Sequence, residues 1–170
     1  SEMILEAGSI RYHGKVYTYK KDILTFLFLG IDKEGEVKAS SNLFKGGQAD
    51  ALFLAVLDPG EKKISVIGIN RDTMASMNVY DKNGRYSGRQ TAQIALSHAY
   101  GDGLEESCEN SLDAVSNLFY GLPIHGYCAL NMPVVSKLND AVGGVDVVIP
   151  ESANGLEKGW TTGAEVHLKG

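Results

Sequence analysis

Two cysteines in 170 residues are too few for a disulfide scaffold, and Cys108 and Cys128 lack metal-knuckle spacing. Both read as small buried apolar residues, on a helix and on the strand that follows it, with a single disulfide as the alternative. No apolar run is long enough to cross a bilayer, and no signal-type hydrophobic segment precedes the domain. The opening Ser1-Glu2-Met3 is unlike a natural N-terminus, which leaves room for a membrane anchor upstream. Basic residues are outnumbered, 16 Lys and Arg against 21 Asp and Glu, for a net charge of −5. With no stripe of Lys and Arg, no zinc-finger spacing and no helix-turn-helix pattern, nucleic acid is not expected as a partner. Internal repeats and low-complexity segments are also missing.

What is present fits one soluble globular domain. Hydrophobic residues make up 44% and charged residues 22%, and a chain of this length buries roughly two-thirds of its unfolded surface. Arg11 to Tyr17 reads as a hairpin turning at His13-Gly14, so residues 1–22 form an N-terminal hairpin and linker ahead of a main domain at 23–170. Ile23 to Leu29, Ala51 to Leu57 and Ile64 to Ile69 are continuous apolar runs. Such runs lack a polar face and are expected as strands at the centre of one sheet, covered on both sides. The last two are joined by Asp58-Pro59-Gly60, which is turn chemistry. Helical spacing follows at Thr91 to Tyr100 and at Leu104 to Tyr120, with Leu104, Cys108, Leu112, Val115 and Phe119 on one face. A strand at Tyr127 to Leu130, a helix capped by Asn131 and a strand at Val145 to Ile149 complete the order. The expected fold is α/β, a three-layer α/β/α sandwich with a central mixed sheet. The polar stretches Ile31–Gln48 and Ala75–Gln90 read as long functional loops. Beyond Glu151 no closing element is legible.

Charged residues gather at the strand ends, where open sheets bind ligands. Asp32 follows the first buried strand and Asp50 begins the second. If those strands are antiparallel neighbours, the two carboxylates meet at one sheet edge. A divalent cation would relieve their repulsion, and Mg²⁺ suits one or two carboxylates completed by water and phosphate oxygens. The plainer alternative is a loop acid and a strand-end cap. At the third strand end stands Ile69-Asn70-Arg71-Asp72-Thr73. Its Arg71 fork could face a phosphate with Asp72 orienting it, or the two could simply pair to close the strand end. Leu96, Val115, Leu118, Phe119 and Val135 lie on helices that could wall a cavity, although ordinary core is the commoner role at such spacing.

Six segments in register carry a resemblance. They are Leu29-Gly30-Ile31-Asp32, Gln48-Ala49-Asp50-Ala51-Leu52, Ile67 to Thr73, His98-Ala99-Tyr100-Gly101-Asp102-Gly103, Gly121-Leu122-Pro123-Ile124 and Asp140 to Asp146. From Ile23 to Pro150 the chain resembles the extracytoplasmic domain of the LytR-CpsA-Psr family. The resemblance implies a transferase, a Mg²⁺-dependent phosphotransferase that moves a glycopolymer such as teichoic acid from undecaprenyl pyrophosphate to a peptidoglycan sugar hydroxyl. It implies Mg²⁺ at Asp32 and Asp50, and a pyrophosphate contact at Arg71. It places the work at the extracytoplasmic face of the membrane of a Gram-positive-type bacterium, held by an anchor outside this chain. Gln48 stands where many members have Arg, Asn70 where they have Pro, and Gln93-Ile94-Ala95 where they have Lys-Ile-Asn. Arg85 or Arg89 could supply the missing cations. A later arginine-rich segment of the family has no counterpart before Gly170, as though the domain were cut short there. These departures keep two alternatives in view, a non-enzymatic polyprenyl-phosphate binding module and a membrane-bound transcriptional regulator.

Overall fold

The computed structural model describes residues 8–34, 46–81 and 83–170. Strands β1 (Ser9–Tyr12) and β2 (Lys15–Thr18) form the expected hairpin, a separate two-stranded sheet. His13 and Gly14 both take positive φ, 46° and 75°, the backbone twist that a two-residue hairpin turn requires. The central sheet contains β3 (Leu24–Ile31), β4 (Ala49–Asp58) and β5 (Lys63–Ile69). Both neighbouring pairs among these three are antiparallel. After them come β6 (Met74–Tyr80), β7 (Tyr86–Gln93), α1 (Leu96–Ala99) and α2 (Glu105–Leu118). Strand β8 (Gly126–Asn131) then returns parallel to β3 and closes the order β5-β4-β3-β8, a mixed sheet. Helix α3 (Met132–Ala141), β9 (Val145–Val148) and β10 (Glu165–Leu168) end the chain.

The core lies on one face of that sheet. Leu27 and Leu29 from β3 and Leu52 and Leu54 from β4 are almost wholly buried against Met77, Ile94, Ala114 and Val115. Each such side chain contributes about 1.5–3 kcal/mol by leaving water. The cover on this face is α1, α2 and the β6–β7 hairpin. Leu96, Val115, Leu118 and Phe119 belong to this core, whereas Val135 on α3 is exposed. The α/β class with a central mixed sheet is therefore as expected. The opposite face, expected to be covered as well, is left open among the described residues: Ile64 and Val66 are 69% and 64% exposed, and Phe28 and Phe53 are exposed beside them.

Other readings of the sequence need correction too. The segment 75–90 is a hairpin rather than a loop, with Ala75, Met77 and Val79 of β6 turned into the core as period-two alternation demands. Thr91 to Gln93 belong to β7, paired with Ser76 to Met74, so only Leu96–Ala99 of the expected helix is helical. A closing element does exist: β10 pairs antiparallel with β9. On α2, much of the buried surface is polar. Asn110 donates to the carbonyls of Ser97 and Asn78, and Ser97 Oγ donates to the Ile94 carbonyl and lies 3.0 Å from Ser111 Oγ. Every such bond satisfies a group that would otherwise cost about 1–3 kcal/mol to bury. Neither cysteine is in a disulfide; Cys108 is buried as read, whereas Cys128, read as buried too, is exposed on the open face of β8 beside Phe28.

Candidate functional site

The charged cluster is assembled by three strand ends. Gly30 lies opposite Ala51, and a Cβ there would come within 2.9 Å of the Ala51 Cβ. That close approach, with a register shift at Gly30/Ile31, carries β3 past β4 into Asp32, whose N–H donates to the Gln48 carbonyl at 3.0 Å. Asp32 and Gln48 are thus backbone neighbours two residues before Asp50, as antiparallel pairing predicts. At the end of β5, Asn70 Oδ1 accepts the Asp72 N–H at 2.8 Å, and the Asn70 carbonyl accepts the Thr73 N–H at 2.9 Å. This side-chain-supported turn presents Arg71 toward β4. The Ala95 N–H donates to the Arg71 carbonyl, and the Ala49 N–H to the Ala95 carbonyl, so the end of β7 is stitched to both.

Arg71 is the hub. Its Nη1 lies 2.6 Å from Asp50 Oδ1, its Nη2 donates to Gln48 Oε1 at 3.3 Å, and its Nε lies 3.9 Å from Asp72 Oδ1. Gln93 Nε2 in turn donates to Asp72 Oδ1 at 3.0 Å. Asp50 is therefore the principal partner of the guanidinium, and Asp72 only a looser one that Gln93 steadies. Asp50 Oδ1 is buried and makes no regular hydrogen bond, so its compensation is the ion pair. An open groove of about 430 Å³ starts at Asp50 and Arg71 and runs over Gly68 to Phe53.

Six of the eight sequence-identified residues, Asp32, Gln48, Asp50, Arg71, Asp72 and Gln93, thus meet at one edge. Two do not. Arg89 sits on β7 opposite Asn78 and gives its guanidinium to Asp113 at 3.0 Å and to Ser76 and Asn78. Arg85 lies at the far turn of the hairpin, its N–H on Asp81 Oδ1. From the Met74–Gln93 end of the hairpin that turn is roughly 20 Å away at 3.3 Å per residue. Neither replaces the absent cations, because the stretch that carries them is a strand pair and not a loop able to fold back.

Among the described residues no group of three or more His, Cys, Asp or Glu could hold a metal ion. Mg²⁺ does not need one, since it accepts one or two carboxylates and fills its octahedron with water and phosphate oxygens. The buried Asp50 oxygen and the exposed Asp32 carboxylate at the same edge fit that donor chemistry.

A second cavity, about 370 Å³, begins at Ile31 beside Asp32 and is walled by His98, Leu104, Cys108, Tyr127 and Leu130. Sequence reasoning singles out none of these as a site, although Leu104 and Cys108 share the helix face read there. His98 Nδ1 is 3.0 Å from the Gly47 carbonyl. A carbonyl only accepts, so Nδ1 carries the proton and Nε2 faces Cys108 Sγ at 3.9 Å. Burial lowers the His98 pKa and pushes the Cys108 thiol up to about 11, so both are neutral near pH 7. The sign of the linkage follows. An unfolded His98 takes a proton near its ordinary 6.5 while the folded one resists. Its contribution is full above that pH and is lost as pH falls through the lowered folded value. Chemical denaturation between pH 8 and 5 is expected to show stability declining from near pH 6.5, and His98→Gln should flatten that part of the profile. An unchanged slope in the variant would remove His98 as the cause.

The chain is an α/β domain that gathers carboxylates, amides and one guanidinium at its strand ends, the place where open sheets commonly take ligands. Comparison makes the assignment specific: the LytR_cpsA_psr family model matches residues 6–169, and the chain belongs to that family. It is similar to a polyisoprenyl-teichoic acid–peptidoglycan teichoic acid transferase, TagU, of Bacillus anthracis, 30% identical over 128 residues, 75% of this chain and 35% of the relative. The Enterococcus faecalis protein of the same name is 28% identical over 127 residues, 75% of this chain and 36% of the relative. Among solved structures, B. subtilis TagV superposes with TM-score 0.61 at 24% identity, covering 89% of this chain and 53% of that one. The gbs0355 protein of Streptococcus agalactiae gives 0.65 at 20% identity, covering 87% and 48%. The chain therefore spans about a third of the curated relatives' length and about half of those solved chains.

Proposed function

We propose that this domain serves a phosphotransferase that moves a glycopolymer from a polyprenyl pyrophosphate to a peptidoglycan sugar hydroxyl at the outer face of the membrane. The observation that carries the reading is the Arg71 guanidinium held between Asp50 and Gln48 at the mouth of a groove that passes from charge to the apolar Gly68–Phe53 floor. That gradient suits an amphipathic pyrophosphate. The relatives' names, which join a polyisoprenyl-linked teichoic acid to peptidoglycan, support the same substrate class.

In this reaction the acceptor hydroxyl oxygen forms a bond to the phosphorus nearer the sugar. The bond from that phosphorus to the bridging oxygen breaks, and polyprenyl phosphate leaves with the electron pair. Arg71 binds the phosphate oxygens through its planar fork and offsets charge gathering there. Gln48 and Asp72, the latter steadied by Gln93, flank the guanidinium at 3.3 and 3.9 Å and orient it loosely. Asp32 and Asp50 would hold Mg²⁺, which supplies further charge neutralisation when bound. One carboxylate of the pair Asp32 and Asp50 would take the hydroxyl proton.

A second reading, a lipid-binding module without turnover, draws on the neutral Gln48 and Gln93 where the family carries cations. The test is release of polyprenyl phosphate from a prenyl-pyrophosphate glycan by the whole protein, with peptidoglycan and Mg²⁺. Metal-dependent release that Asp50→Ala abolishes is the expected result. Lipid binding that survives Asp50→Ala, with no release by the wild type, would establish the binding module instead.

A further inference from the structure

The Asp50–Arg71 pair has a consequence for how the site is loaded. Asp50 Oδ1 is buried, lacks a regular hydrogen bond, and has Arg71 Nη1 at 2.6 Å. Its negative charge is thus already balanced, and by a side chain that is not locked in place. Arg71 is 44% exposed, and its other contacts are long, 3.3 Å to Gln48 and 3.9 Å to Asp72. It also borders the open groove, so space exists for the guanidinium to swing outward. A dication joining the same carboxylate would sit a few ångströms from this positive charge, and like charges so close repel. A phosphoryl anion between the two reverses the sign, since it attracts both.

We propose that Arg71 is the resident counter-ion of Asp50, and that it holds the divalent-cation position closed until a phosphoryl anion draws the guanidinium away. This rests on the phosphate-transfer reading above and concerns the order in which that site fills. Cation and phosphate then bind with positive coupling, which linkage makes reciprocal. The neutral Gln48 strengthens the effect: it orients Arg71 without offering a second cation that could meet the phosphate in its stead. Loading of metal without substrate is thereby disfavoured.

The test uses the full chain and Mg²⁺ alone as probe, followed by calorimetry, with Mn²⁺ paramagnetic resonance as a second reading. Arg71→Gln is expected to bind the cation about tenfold more tightly than wild type in the absence of phosphate. Saturating inorganic phosphate should raise wild-type affinity by about tenfold more than it raises the variant's. Nitrogen-15 spectra of the Arg71 side chain should shift when phosphate is added and stay unchanged when the cation is added alone. Arg71→Gln,Asp50→Asn should lose the cation, which locates it. Equal affinities for wild type and Arg71→Gln would overturn the proposal while leaving a metal site standing. No binding by either at millimolar cation would remove the metal from the reading altogether.

Discussion

Arg71→Ala is expected to lower the rate of polyprenyl phosphate release by about 10²–10³-fold, the usual loss when one preorganised donor to a developing oxyanion is removed. The size follows from the geometry. Arg71 is the one guanidinium, among the described residues, that the fold brings to the charged edge, because Arg89 is committed to Asp113 and Arg85 lies at the distant hairpin turn. Neither of those two can take its place. Arg71→Lys should recover only a small part, since an ammonium supplies charge but not two parallel N–H donors. Gln48→Ala should cost less, because its single contact to Arg71 is 3.3 Å long. Single-turnover measurements would separate the outcomes. A loss confined to substrate affinity, with the chemical step unchanged, would make Arg71 a binding residue and not a transition-state one. A loss below tenfold would displace it from the centre of the proposed site.

Much of that edge is legible in the amino-acid sequence. Continuous apolar runs admit few alternatives to buried strands, and short Asp-Pro-Gly turn chemistry forces β4 and β5 together. Once β3 and β4 are antiparallel, Asp32 must meet the start of β4, as the Asp32–Gln48 hydrogen bond shows. What misleads is equally physical. The inward residues of β6 are Ala75, Met77 and Val79, separated by Ser76 and Asn78, so a strand with a small-residue face looks like a polar loop. Its partner β7, Tyr86 to Gln93, is almost all polar and leans on β6 and α2 for its place. The polar interior of α2 is hidden from the sequence for a related reason. Ser107, Asn110 and Ser111 are buried because each has a partner, and partners come from tertiary contact that periodicity does not encode. The misplacement of Arg85 and Arg89 follows directly from reading that hairpin as a loop.

The second large effect concerns the loop that closes the His98 cavity. Gly101→Ala is expected to destabilise the domain by about 3 kcal/mol, at the upper end of overpacking losses. A Cβ at Gly101 would stand 2.4 Å from the Ser107 backbone nitrogen and 2.5 Å from its Cα. Those atoms belong to the first turn of α2, which cannot yield as a flexible side chain could. The surrounding bonds explain why the approach is so close. Asp102 accepts the Leu104 N–H at 2.7 Å, and Ser107 Oγ accepts the Gly103 N–H at 2.7 Å, so residues 101–104 are drawn onto the helix start. A carboxylate there also favours the positive end of the helix dipole, which Glu105 and Glu106 reinforce. Retreat by an ångström to admit a methyl group would loosen both bonds and shift Leu104 and Cys108, two walls of the cavity. The matched control is Gly155→Ala, where a Cβ meets nothing within 4 Å and φ is not positive. It should change stability by less than about 0.5 kcal/mol. In thermal melts the Gly101 variant should fall by roughly 6–12 °C, at about 2–4 °C per kcal/mol for a domain of this size. Equal melting of the two variants would show that the loop relaxes freely, and the cavity beside Asp32 would then lose its claim to a fixed wall.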